Sequence, residues 1–391
     1  MDKRPVYSCN RAHCSGPLTY LASRQVRDCS FRSRGFQQAL LCFLSLDYLF
    51  HVPLPVELHH KTLSEVATLT FVRDVCQHAT IIPKPIAFEA KDDRDLGFEW
   101  ILMERMKGEV FETSWGELDW TSKENIIREL VVFHASLFEH QFRSIGNLYA
   151  KSVGTFEVGR IVSMPFFWEG HQSQDVDHGP FRSSYDWLGA RLAFILNDAH
   201  DVLRTSDDED ELEDAEMVMD LAQRLENLLP CLFPPNEDEP TALCHDDLSW
   251  HNLLLDNNKL SAILDWECVS VLPLWKVCQL PSFLISRSRQ TMPNPALYSQ
   301  PLESNELFKE HVRESEQTKL RDFFLAEMDK LQPKWTAIFN DRECEKKADF
   351  DFAINMCSDG LVVGAKLLSA WLGDIEEGRE DVESLWSRCL L

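Results

Sequence analysis

CHDDLSWHNLLLDNNKLSAILDWE, running from Cys244 to Glu267, is the stretch on which the reading of this chain turns. It holds five carboxylates, two histidines and three asparagines among eight aliphatic residues. A surface loop has no use for Leu253-Leu254-Leu255, and a core strand does not carry Asp246-Asp247 unpaired. The stretch therefore reads as polar chemistry held on a hydrophobic scaffold. Its apolar triplet, the turn Asp256-Asn257-Asn258-Lys259 and the β-type run Leu260 to Leu264 predict a hairpin. His245, Asp247 and Asn252 lead into that hairpin with the spacing H-x-D-L-x-x-x-N, and Asp265 stands at its exit.

Phosphoryl transfer asks for such an arrangement. The transferred group is densely negative, and hard divalent cations that offset its charge take oxygen ligands. Asn252 near the entry of the hairpin and Asp265 at its exit can meet at one metal. A further carboxylate, kept free of metal, can take the proton of an attacking hydroxyl; Asp247 on the preceding loop is placed for that. Taken alone, Asp247 and Asn252 read as an Asx turn, and it is the distant I-L-D-W-E that changes the weighing.

These residues resemble the aminoglycoside phosphotransferase and choline kinase-like branch of the protein-kinase-like fold. That family's motif is H-x-D-L-x-x-x-N followed by a hydrophobic hairpin to I-x-D-[WF]-[EG], and His245, Asp247, Asn252, Asp265 and Trp266 match it. KTLSEVATL, LGFEWILMERMKG, FRSIGNLY and DWECVSVLPLW look especially like fungal members, including relatives of the "altered inheritance of mitochondria" proteins. The resemblance implies ATP and Mg2+ as cofactors, with Asp247 as catalytic base and Asn252 and Asp265 as metal ligands. It implies that Glu65 fixes a phosphate-binding basic residue, and that Glu104 and Met106, on the Met103–Met106 linker, contact adenine. His245 and Trp266 are implied as structural support.

The chain departs from the family pattern on the nucleotide side. A glycine-rich E-G-G-F-N turn is expected where this sequence has Ser33-Arg34-Gly35-Phe36-Gln37, leaving Gly35 as the nucleotide-loop glycine. His51 stands where a permanently charged side chain is expected to pair with Glu65, and a neutral imidazole grips phosphate less well than Arg. Two functions follow as expectations. One is an ATP- and Mg2+-dependent phosphotransferase acting on a hydroxyl of a small molecule. The alternative is a pseudokinase, a binding module with a degraded nucleotide lid.

Patterning outward from the motif gives an α+β, bilobal protein-kinase-like fold: a small antiparallel-sheet N-lobe with one helix and a large, mainly helical C-lobe. Residues 1–34 form a basic irregular arm or transit-like segment, 35–103 the N-lobe and 104–391 the C-lobe. FQQALLCFLSLDYLFHVPLP reads as two strands joined by a turn. Leu63, Val66, Leu69, Val72 and Val75 predict a helix over Lys61–His78, which Pro83 and Pro85 cannot continue. Phe98–Met103 reads as a buried strand. Further helices are expected over about Thr121–Phe142, Asp186–Leu203, Met217–Leu229, Glu306–Leu331 and Ala348–Leu372, with a loop at 286–305.

Composition narrows the function classes. The chain has 391 residues and a net charge of −25, from 39 basic and 64 acidic residues, which argues against a nucleic-acid partner. Much of the excess lies in 201–240, where Asp207–Glu211 reads as a solvated loop. An acidic helical lobe would suit a cationic hydroxyl acceptor. The twelve cysteines show no C-x-x-C pair, which suits free thiols in an intracellular location, cytoplasmic or mitochondrial. No apolar run is long enough to span a membrane. His59-His60 and Cys76-Gln77-His78 lack the partners of a zinc site.

Overall fold

The computed structural model describes residues 48–91, 96–235, 238–358, 362–379 and 382–390, with the backbone of 32–34, 37–39 and 42–45. The basic arm up to residue 31 and the nucleotide-loop Gly35 lie outside the described residues. In the small lobe, Arg32–Arg34 (β1) pairs antiparallel with Gln37–Ala39 (β2). Cys42–Ser45 (β3), Tyr48–His51 (β4), the helix His60–Val75 (α1), Pro85–Glu89 (β5) and Trp100–Glu104 (β6) follow. The sheet order is β3-β4-β6-β5, all antiparallel, with His51 opposite Ile101 and Tyr48 opposite Glu104. What reads as two strands in FQQALLCFLSLDYLFHVPLP is thus three short ones.

Helix α1 forms where the spacing of three places Leu69 and Val72 inward, both fully buried. Its first turn has no cap of its own. Glu99, brought in from the approach to β6, accepts from the His59 N–H and the Thr62 hydroxyl instead. The opposite face rests on the large lobe: Phe71 meets the rings of Phe142 and Phe156 at centroid distances of 5.6 and 5.4 Å. The two lobes therefore share apolar contacts through α1.

After β6 the chain passes through Glu109–Val110 (β7) into the helix Trp120–Glu139 (α2), capped by Asp119, which accepts from the Ser122 N–H at 2.7 Å. Gln141–Phe142 (β8), Gly146–Ser152 (β9) and Thr155–Gly159 (β10) precede the paired helices Ser184–Thr205 (α3) and Glu209–Leu232 (α4). Thr241–Cys244 (β11), Leu253–Asp256 (β12), Lys259–Ile263 (β13) and Ser270–Pro273 (β14) carry the opening stretch. Glu306–Leu331 (α5), Arg342–Ser358 (α6) and Val362–Glu376 (α7) complete the helical lobe.

Two expectations are corrected here. The acidic run at 207–211 is exposed but only partly a loop: Asp208 accepts from the Asp210 and Glu211 N–H groups, so Glu209–Glu211 become the first turn of α4. Acids are favoured at that end, where unpaired N–H groups carry positive charge. The expected helix 348–372 is two helices, α6 and α7. The large lobe also contains a five-stranded sheet, β10-β9-β14-β11-β8, and a three-stranded one, β13-β12-β7. The β12–β13 hairpin is the one expected from the sequence; the other pairings join short strands, most of them distant in sequence, and local periodicity did not reveal them.

Candidate functional site

The hairpin forms as its sequence demands. Leu253 pairs with Ile263 and Asp256 with Lys259, while Asn257 and Asn258 take φ of 50° and 62° in the turn. Its first strand, β12, is central in the sheet and also pairs with β7, tying the hairpin to the chain that leaves the small lobe. That approach is close. A side chain on Gly108 would place its Cβ 2.5 Å from the Leu255 carbonyl oxygen, so only glycine fits there. Ser261 adds a bond from its hydroxyl to the Lys107 carbonyl at 2.7 Å.

Asp247 and Asn252 come together on the loop between β11 and β12. The Asn252 amide nitrogen donates to the Asp247 carbonyl at 2.9 Å and to its carboxylate at 2.8 Å. Both amide protons are thereby used, and the Asn252 side-chain oxygen is left as an acceptor. Asn252 is buried, whereas Asp247 is exposed. His245 Nε2 donates to the Leu264 carbonyl at 2.9 Å, and its ring stands edge-on to Trp266 at 4.9 Å. Trp266 in turn donates to the Ile263 carbonyl at 2.8 Å. These two side chains fix the loop against the strand that delivers Asp265.

Asp265 sits at φ 63°, a left-handed conformation that a non-glycine residue adopts at some cost. Its carboxyl is reachable by water yet walled by protein. Burial raises its pKa to about 7, helped by Glu267, Glu65 and Asp247 and opposed by His51. The same interactions locate Asp265 among those groups.

On the small-lobe wall, His51 Nε2 lies 3.7 Å from Glu65 Oε2, too far for a hydrogen bond. Neither atom has a hydrogen-bond partner, and both are shut off from solvent. Burial lowers the His51 pKa, against the pull of Glu267. Burial, with Glu267 adding to it, pushes the Glu65 carboxyl up to about 8. Glu104 ends β6, donates its N–H to the Lys84 carbonyl at 2.9 Å and stands 3.9 Å from Arg73. Met106 is half-buried on the crossing from β6 to β7.

A profile of the phosphotransferase enzyme family matches residues 43–275, which covers β3 to the short helix after β14. The chain belongs to this family. Among its relatives is a subtelomeric hrmA-associated cluster protein of Aspergillus fumigatus, 25% identical over 62% of this chain and 57% of that protein. The chain thus spans just over half the length of the curated relatives it matches. Similar solved structures include the streptomycin–ATP–APH(2")-IIa ternary complex, 13% identical over 92% of this chain and 97% of that one, with a TM-score of 0.45. The GDP complex of aminoglycoside 2'-phosphotransferase-IIIa is 14% identical over 91% and 96%, also with a TM-score of 0.45.

Lys61, Glu267 and Asn147 of this family member were not assigned a role from sequence. Lys61, one turn before Glu65, forms a buried ion pair with Glu267 at 2.8 Å. Burial works against its charge, but Glu267, Cys268 and Glu65 together raise its pKa. Asn147 on β9 is fully buried and saturated. Its amide nitrogen donates to Ser64 and to the Val269 carbonyl, and its oxygen accepts from the Val162 N–H and the Ser270 hydroxyl. Asn147 thus couples the Glu65 helix to the segment after Asp265. An asparagine amid apolar strand residues, as in IGNLY, was the available signal. A cavity of about 690 Å3 opens on α3 and α4 beside Asp175, Asp177 and Glu226, and includes none of the residues above.

Proposed function

We propose that this phosphotransferase-family chain is an ATP- and Mg2+-dependent kinase that phosphorylates a hydroxyl of a small molecule. The observation that carries the reading is the Asp247–Asn252 pair. Asn252 spends both amide protons on Asp247, which aims one oxygen acceptor toward a metal and leaves a carboxylate free for a proton. In this reading Asn252 Oδ1 and the Asp265 carboxylate hold Mg2+, which supplies charge neutralisation for the transferred phosphoryl group. The donor set fits a hard cation, being oxygen throughout. Asp247 accepts the hydroxyl proton as the acceptor oxygen bonds to phosphorus, and the bond from phosphorus to the leaving diphosphate breaks. His245 holds the loop in place and moves no proton, because its Nε2–H is committed to Leu264.

A small acceptor is favoured over a protein because only residues 266–269 separate Asp265 from β14, leaving no room there for a peptide-binding segment. A screen of hydroxyl metabolites, amino sugars and choline included, with ATP and Mg2+ tests the reading. One compound should gain the mass of one phosphate, and Asp247→Asn and Asp265→Asn should each abolish that gain. Turnover that survives both substitutions rejects the assignment.

A second reading, a binding module that no longer transfers phosphate, draws on His51: a neutral side chain with no partner stands beside Glu65. Thermal-shift titration separates the two. Stabilisation by millimolar ATP with Mg2+ favours the enzyme, and its absence favours the module.

A further inference from the structure

His51, Glu65 and Glu267 form a cluster beside the Asp247–Asn252–Asp265 set, with Asp265 as their neighbour. One ligand-capable atom from each lies within 4.8 Å of the others. His51 Nε2 and Glu65 Oε2 face each other at 3.7 Å, and neither is bonded to anything else. At 3.7 Å the pair is too far apart to be hydrogen-bonded, so a buried imidazole nitrogen and a buried carboxyl oxygen face each other unsatisfied. A cation between them would satisfy both. Two ligands held at about 2.0–2.2 Å by a tetrahedral cation stand about 3.4 Å apart, so the observed spacing needs to close by only a few tenths of an ångström.

Charge and orientation agree with this. Among the described residues, Glu65, Glu267 and Asp265 lie around the cluster with the Lys61 ammonium, and a divalent ion offsets the charge of those carboxylates when it holds them ionised. Lys61 holds Oε2 of Glu267, the way a neighbouring cation or donor fixes a ligating carboxylate. Glu65 is almost fully buried and cannot satisfy its oxygen with solvent. One imidazole nitrogen with two carboxylates, in a closed space, selects a zinc-type ion over Mg2+, which demands six oxygens in near-ideal geometry.

We propose that His51, Glu65 and Glu267 bind a zinc-type divalent cation on the small-lobe wall of the cleft, which gives that wall the fixed positive charge neutral His51 lacks. The site is built from α1, β4 and the residue two beyond Asp265. It requires neither Asp247 nor bound nucleotide, so it stands or falls separately from the kinase reading.

The test is a Co2+ titration of the full chain, stripped with chelator and free of nucleotide, followed by visible absorption. One equivalent should produce the strong bands of a four- or five-coordinate site, and one equivalent of Zn2+ should remove them. Asp247→Ala should leave the spectrum unchanged. His51→Lys should abolish it while preserving the melting temperature, since an ammonium can pair with Glu65. Glu65→Gln should weaken Co2+ at least tenfold, and it serves as the readout if His51→Lys does not fold. No strong band in the wild type, or bands that persist in either variant, overturns the proposal. So does a weak six-coordinate spectrum lost in Asp265→Asn, which would place the ion with Asn252 instead.

Discussion

The two walls of the cleft are built to different standards of polar satisfaction. On the helical-lobe wall, Asn252 uses both amide protons, His245 is bonded to Leu264 and Trp266 to Ile263. On the small-lobe wall, His51 Nε2 and Glu65 Oε2 face each other without partners. Buried polar atoms without partners cost free energy, so a fold keeps them only where something else binds or where function has relaxed. On the first wall the chain bonds all of these groups except His245 Nδ1; on the second a facing pair is left unbonded.

Four measurements break or sharpen that contrast. Removing the proton acceptor proposed above should have the largest effect: Asp247→Asn is expected to lower kcat about 10³-fold, with an unchanged melting temperature because Asp247 is exposed. An activity loss that only tracked unfolding would undo the distinction between the finished wall and the scaffold behind it. Next comes the cross-lobe ion pair. Lys61→Met leaves Glu267 buried and uncompensated, and should cost about 3–5 kcal/mol in denaturant melts. Adding Glu267→Leu should recover most of the loss.

A smaller effect concerns acid. His134 lies among Phe133, Phe324 and Trp335, and burial, with His245 nearby, lowers its pKa to about 4. The unfolded chain, with an imidazole near 6.5, takes up the proton first as pH falls. Stability is therefore full above about pH 6.5 and is lost towards pH 4, by up to about 3 kcal/mol. Melts of wild type against His134→Leu across that range should show the gap moving in the variant's favour; parallel curves would remove the assignment. The smallest effect is His51→Arg, which should tighten Mg-ATP by about threefold to tenfold in isothermal titration, assayed with a zinc-selective chelator. No gain would mean that the small-lobe wall lacks more than a charge.

Much of the helical-lobe wall was legible in the sequence because its residues are neighbours in the chain. The hairpin, its Asn257-Asn258 turn and helix α1 follow from local pattern and turn chemistry. The five-stranded sheet was not legible, since β14 pairs with β9 across more than a hundred residues and periodicity carries no such information. The acidic run misread as a loop shows a related limit: charge density alone does not distinguish a solvated coil from the first turn of a helix that favours acids.

The sequence by itself determined the order of the chemistry: the spacing of Asp247, Asn252 and Asp265 around a hairpin, and the neutral residue at position 51. Only the tertiary structure decided which groups share a space. It put Lys61 on Glu267 rather than Glu65, set Asn147 between α1 and the segment after Asp265, and left His51 and Glu65 facing each other across an unbridged gap. The reason is physical. Hairpins and helices are set by short-range sterics and hydrogen bonds, whereas ion pairs and ligand clusters depend on how separate elements pack.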